Sequence, residues 1–277
     1  MNKNIYVTGY KGRLGSVLME LGCSRLEVDV TDPIATSRAI SKLKVGDLIV
    51  HLAAASDIDW CEAPENKETV IAVNVRGAFN VVKAANDEGI PVVLLSSNHV
   101  FSGKKWFGKY KELHKQTSVN NYGLSKHVME AMATAFPNAK VVRSSYLATY
   151  ARVAGSFFRK EDNPVFPTFF KRNFTYINHF AEMLLAYCHR FSEMPKFLHL
   201  ASSDGMSWYK YMQVFLSAHD TAYDVFPNKK YRSDGFTPRP KNAVLSVSLS
   251  KKLGLPQYTI RDGVYDMCSD WLMERRS

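Results

Sequence analysis

At 277 residues and 46% hydrophobic, the chain is long enough to bury a sizeable core, as one large α/β unit or as a major and a minor domain. Its formal charge of +10 is spread along the sequence, without the basic run interleaved with aromatics that marks a nucleic-acid surface; a phosphate-bearing cofactor, a nucleotide-linked substrate and a basic surface kept for solubility each suit it. No apolar run approaches the ~18 residues of a membrane span, the start lacks a signal-peptide pattern, and Cys23, Cys61, Cys188 and Cys268 form no CxxC or Cys/His cluster; the expectation is a cytoplasmic protein with reduced thiols, no metal and no membrane.

Residues 5–8, Ile-Tyr-Val-Thr, read as a strand, and they run straight into Gly9-Tyr10-Lys11-Gly12-Arg13-Leu14-Gly15 and a helix to about Leu21. Glycines between a strand and a helix allow a tight turn and let a pyrophosphate approach the N–H groups at the helix N-terminus. Residues 26–30 read as a second extended piece. Asp32 caps a helix over 33–44 with Pro33 in its first position. Residues 47–52 form a buried-type strand, 68–87 a long helix ended by Gly89, and 91–95 another strand.

This alternation predicts right-handed βαβ crossovers and a doubly wound parallel sheet of the α/β class. Residues 1–145 are expected to form a dinucleotide-binding domain and 146–277 mainly a smaller substrate-binding domain. Aromatics, prolines and basic residues crowd 157–176. A helix near 179–191 and a strand at 197–201 then rejoin the first domain within about 175–203. The rest mixes short helices with loops such as Thr237-Pro238-Arg239-Pro240.

Tyr122-Gly123-Leu124-Ser125-Lys126 places a phenol and an ammonium four residues apart, on one face of a helix. A nearby cation favours phenolate, so Lys126 is expected to lower Tyr122 from the usual ~10 towards the range of a working general acid. A Tyr–Lys pair at this spacing is common on solvated helices. Its company gives it meaning.

The GxxGxxG turn and YxxxK together resemble the extended short-chain dehydrogenase/reductase family, and within it the dTDP-4-dehydrorhamnose reductases and their NAD(P)-dependent sugar-nucleotide relatives. The likeness runs in order along nearly the whole chain. Asp29-Val30-Thr31-Asp32-Pro33 is similar to the adenine-pocket segment, and His51-Leu52-Ala53-Ala54-Ala55 to the strand end on which the cofactor lies. Asp59-Trp60-Cys61-Glu62 and Asn74 follow. Ser96-Ser97-Asn98-His99-Val100-Phe101 is similar to S-[ST]-[DN]-Y-V-F, Arg143-Ser144-Ser145-Tyr146 to R-[TS]-S-[WY], and Arg239-Pro240-Lys241-Asn242 to a late R-P-x-N loop.

The resemblance implies a catalytic group of Ser97, Tyr122 and Lys126, with Ser97 bonding the substrate carbonyl, Tyr122 donating the proton and Lys126 holding the nicotinamide ribose. It implies cofactor contacts from Gly9, Lys11, Gly12, Arg13, Leu14, Gly15, Asp29, Val30, Ala53, Ala54, Asn74, Ser96 and Lys126. Substrate contacts fall to Asn98, His99, Tyr146, Arg172 and Arg239, with Lys171 a further candidate for the diphosphate. The function implied is reduction of a nucleotide-activated keto-sugar, with homodimerisation plausible by analogy. Two alternatives stay open, an NAD-dependent sugar-nucleotide epimerase and a non-catalytic cofactor-binding regulatory subunit like the β-subunit of methionine adenosyltransferase.

Two departures stand out. His99 replaces the tyrosine and Asn98 the usual aspartate, so His99 reads either as a donor to substrate titrating near its usual ~6.5 or as a packed core histidine. The segment from Gly15 to Asp29 is short, which leaves Asp29 as an adenine contact or a ribose acceptor. Lys11, Arg13 and Arg25 sit where a 2′-phosphate would be received, which favours NADP while leaving NAD possible.

Overall fold

The computed structural model describes residues 4–105, 108–158, 165–219, 225–228 and 237–274. Among the described residues twelve strands form: β1 (Ile5–Thr8), β2 (Ser24–Arg25), β3 (Leu48–His51), β4 (Val92–Ser97), β5 (Ala139–Ser144), β6 (Tyr146–Ala148), β7 (Val165–Pro167), β8 (Lys171–Arg172), β9 (Phe174–Tyr176), β10 (Phe197–His199), β11 (Met206–Ser207) and β12 (Phe226–Asn228). Six of them build one parallel sheet in the order β10-β5-β4-β3-β1-β2. The others pair two by two as β6–β9, β7–β12 and β8–β11.

The apolar strands are buried on both faces, and their alternation assigns each side chain to a layer. Val7, Leu48, Val50, Val93 and Val142 face a cluster that includes Leu14 and Leu18 of α1 (Arg13–Glu20) and Phe180 and Leu184 of α8 (Ile177–His189). Ile49, Val92, Leu94 and Val141 face the other way. There they meet Ile40 of α2 (Pro33–Ile40), Val81 and Val82 of α5 (Ala78–Asp87), and Met129 and Ala133 of α6 (Asn121–Ala133). The remaining helices are α3 (Ile58–Glu62), α4 (Lys67–Ile71), α7 (Tyr150–Phe158), α9 (Trp208–Ser217), α10 (Ser248–Lys252) and α11 (Ile260–Glu274).

Three local expectations are corrected. The second strand is Ser24–Arg25, paired with Tyr6 and Val7. Residues 26–30 carry no ladder: after Leu26 N bonds Val7 O, the chain leaves the sheet, and Asp29 takes the Thr31 N–H at 2.9 Å in a turn. The α2 helix stops at Ile40, short of residue 44. The long helix over 68–87 is interrupted by a π-helical turn, Ala72–Gly77, between α4 and α5, where Asn74 is drawn into bonds with Ala55 and Ser125. Part of the aromatic and basic stretch over 157–176, at 159–164, lies outside the described residues.

Candidate active site

A cleft of about 1020 Å³ opens at the carboxyl edge of the sheet, where ligands of open α/β sheets bind, and it is at the upper end for a small-molecule site. Gly9 closes β1 with a positive φ of +67°; a Cβ there would sit 2.6 Å from Ala53 N, so only glycine lets the β1 and β3 ends lie together. Gly12 caps α1 without a side-chain hydrogen bond, which leaves first-turn N–H groups directed at the cleft. A Cβ on Gly12 would have only Gly9 O within 4 Å, at 3.2 Å. This uncapped helix end beside open space fits the pyrophosphate of a dinucleotide.

Ser97 ends β4 and caps a short turn, accepting from His99 N at 3.3 Å. Asn98 Nδ2 is committed to Ser145 Oγ and Ala243 O, at 3.0 and 3.1 Å, so it ties the β4 end to the start of β6 and to the late loop. Beside it, α6 begins at Asn120, whose Oδ1 accepts from Gly123 N at 2.8 Å. This cap fixes the first turn and brings Tyr122 and Lys126 to the same wall as Ser97. Lys126 Nζ donates to Leu95 O at 3.0 Å. A Cβ on Gly123 would lie 2.2 Å from His99 O, so α6 packs backbone to backbone against the turn after β4.

Burial governs the titration of this group. Tyr122 is pushed up to about 12 by desolvation, with the Ser97 hydroxyl, bonded to the phenol, pulling the other way. The expected lowering of Tyr122 by Lys126 is thereby corrected: in the protein alone the phenol is too deeply buried to ionise near neutrality. Lys126 is drawn down to about 8, also by burial, and the Glu130 carboxylate one turn along opposes this. His99 is held at about 3 by burial and by Arg172 and Arg239; the expectation that it titrates near 6.5 is overturned. Its Nδ1 faces Asn120 Nδ2 at 3.0 Å, and that amide is oriented by Gly123 N and Pro238 O. Nδ1 is therefore the acceptor, and the ring proton sits on Nε2.

The cleft also carries positive charge. Arg13, Arg152, Arg172 and Arg239 all line the cleft. Arg172 is buried with its Nε lacking a partner among the described residues, and burial brings it down to about 10. Arg152 lies over the Tyr146 ring, 4.4 Å from its centre. Tyr146 packs edge-on to Trp208 at 4.9 Å, and Phe166, Phe170 and Trp208 extend this aromatic floor. Arg239 is paired with Asp59 at 2.8 Å and bridges the rim of the cleft.

Residues 3–273 match the family described as the RmlD substrate binding domain. The chain belongs to that family. It is 30% identical over 163 residues to dTDP-4-dehydrorhamnose reductase of Mycobacterium tuberculosis, covering 53% of this chain and 51% of the relative. It is 31% identical over 162 residues to the probable low-salt glycan biosynthesis reductase Agl14 of Haloferax volcanii, covering 51% and 53%. The chain thus spans about half the length of these curated relatives. Among solved structures, dTDP-4-dehydrorhamnose reductase of Bacillus anthracis, in complex with NADP, superposes with a TM-score of 0.88 at 20% identity, over 98% of this chain and 100% of that one. At that identity the match speaks for the fold.

Within this RmlD-type fold the residues expected from sequence divide in two. Gly9, Lys11, Gly12, Arg13, Leu14, Gly15, Ala53, Ala54, Ser96, Ser97, Asn98, His99, Tyr122, Lys126, Tyr146, Arg172 and Arg239 share the cleft. Asn74, Asp29 and Val30 do not line it. Asn74 is buried and spends its amide on Ala55 and Ser125; it holds the loop after β3 from behind. Val30 belongs to the core, and Asp29 Oδ1 is occupied by Thr31 N and Oγ1. Lys171 is exposed beside the cleft wall rather than in it. Arg13 lies near Arg152, Tyr146 and Tyr122, whereas Lys11 and Arg25 act on Glu27. Arg152, Phe166 and Trp208 also line the cleft and were not among the expected residues, since no contiguous motif marks them.

Proposed function

We propose that the cleft is the active site of a reductase that uses NADPH, or NADH, to reduce the carbonyl of a nucleotide-activated keto-sugar of the dTDP-4-dehydrorhamnose type. The convergence of Ser97, Tyr122 and Lys126 between the open end of α1 and the arginine wall carries this reading. The NADP held by the Bacillus anthracis neighbour and the activity named for the Mycobacterium relative support it.

When bound, the nicotinamide supplies hydride. The chain does the rest. Ser97 and Tyr122 offer hydroxyls to the carbonyl oxygen, and Tyr122 gives up its proton as negative charge develops there. Lys126, anchored on Leu95 O, keeps a cation beside the phenol and turns its free N–H bonds to the ribose. Arg152 and Arg172 meet the substrate diphosphate, since guanidinium and phosphate pair bidentately. His99 presents Nε2–H to the sugar. The same reading has the protein working in the cytoplasm, where its free thiols stay reduced, and as a homodimer, which a native mass measurement checks.

Purified protein given a dTDP-4-keto-6-deoxy sugar should oxidise NADPH. Tyr122→Phe should cut turnover by about 10²–10⁴-fold, the worth of a positioned acid, and leave cofactor affinity unchanged. Turnover that survives this substitution would remove Tyr122 as the proton donor.

A further inference from the structure

Two distant segments meet at the rim of the cleft. Asp59, in α3, and Arg239, in the loop that precedes α10, stand 180 positions apart, and both line the cleft. Arg239 Nη2 donates to both carboxylate oxygens of Asp59, at 2.9 and 2.8 Å, and Nη1 donates to Thr237 O at 3.0 Å. The backbone around Arg239 is pinned: Pro238 O accepts from Asn120 Nδ2 at 2.8 Å, Lys241 O from Lys171 N at 2.7 Å, and Asn242 N donates to Gly103 O at 3.2 Å. The side chain is then the part of Arg239 that can swing. The ion pair itself adds little to the fold, since the Asp59 side chain is 66% exposed and a pair in that much water is weak. Its neighbours give it another meaning. Arg239 and the buried Arg172 act electrostatically on each other and on His99, and Arg172 Nε has no partner among the described residues. Asp59 is the carboxylate that, among the described residues, pairs with either guanidinium.

We propose that Asp59 is a resident counter-ion that holds Arg239 at the rim until the diphosphate of the nucleotide-sugar takes its place, and that this carboxylate thereby limits how tightly substrate and product are held. A diphosphate offers Arg239 a bidentate partner of higher charge than a carboxylate, beside Arg172. The exchange breaks one exposed ion pair and leaves Asp59 in water, where its charge is readily solvated. Once the diphosphate is in place, Asp59 remains near it and repels it. Both effects have one sign: the carboxylate competes for Arg239 before binding and opposes the anion afterwards. The inference rests on the reading of the cleft as a nucleotide-sugar site.

The test is calorimetric titration of the purified protein with dTDP, the part of the proposed substrate that carries the diphosphate. Asp59→Asn should bind dTDP about threefold or more tightly than the unsubstituted protein, the worth of one exposed ion pair together with the repulsion removed. Arg239→Ala should bind it more weakly. In the double variant the gain from Asp59→Asn should shrink, because no Arg239 is left to release. Unchanged melting of each variant confirms that it folds. A gain that persists in full in the double variant would assign it to repulsion alone and remove the exchange. If Asp59→Asn binds dTDP no better than the unsubstituted protein, or if Arg239→Ala binds it equally well, Asp59 is not the competitor, and the nucleotide-sugar reading stands. If dTDP does not bind the unsubstituted protein, both readings fall together.

Discussion

Of Lys126, Tyr122 and His99 in the cleft, Lys126 is the one whose protonation changes nearest neutrality. Burial draws its ammonium down to about 8, whereas Tyr122 stands at about 12 and His99 at about 3. On the proposed reading, the Tyr122 proton is therefore in place across the accessible range, and the Lys126 charge is what alkali removes. In kcat/KM, which reports groups of the free enzyme, reduction should hold level from about pH 6 and fall as Lys126 loses its charge, with a midpoint near 8. No limb should come from His99 between pH 5 and 7. An acid limb near 6.5 that disappears in His99→Gln would show the imidazole titrating freely, against the burial and the Asn120 bond that hold it neutral.

At the scale of elements, the close approach of α6 to the turn after β4 decides whether the residues above meet at all. Gly123 makes that approach possible, because any Cβ there would lie 2.2 Å from His99 O and 2.9 Å from its carbonyl carbon. Gly123→Ala forces backbone apart, and overpacking of this kind costs about 1–3 kcal/mol. Tyr122 precedes it and Lys126 lies one turn on, so the shift also spoils the site. We expect a lower urea midpoint together with a fall in kcat larger than any rise in KM. A variant with unchanged kcat would show that the helix can slide without moving the phenol. The turn, the β4 end and the YxxxK helix were legible in sequence because each is a contiguous segment with its own strand, cap or glycine signal. The short β2, the π turn at Ala72–Gly77 and the contribution of Arg152, Phe166 and Trp208 to the cleft wall were not. They depend on contacts between distant segments, such as Asn74 with Ala55 and Ser125 or Arg152 on Tyr146, which no local pattern encodes.

Across the whole molecule, three buried histidines sit along the central sheet: His51 on β3, His99 after β4 and His199 on β10. Burial, reinforced by nearby cations, holds each at about 3, below the ordinary 6.5. His199 accepts from Arg143 at 3.2 Å with its other nitrogen on Ser246 O, so a second proton would break the Arg143 contact, whereas His51, bonded to Thr8 at 2.8 Å, is kept neutral by burial. Between pH 3 and 6.5 the unfolded chain binds protons that the folded one refuses. Stability therefore rises with pH through this window and is lost as pH falls from 6.5. Three such groups give a slope of about 4 kcal/mol per pH unit near pH 5. Against the ~5–15 kcal/mol of a typical fold, that is a large loss below about pH 5. Urea unfolding measured from pH 4.5 to 7.5 should follow that slope, and His199→Gln, which keeps an acceptor for Arg143, should reduce it by about a third. A dependence no steeper than one proton, about 1.4 kcal/mol per unit, would mean that the sheet admits protons to these rings while still folded.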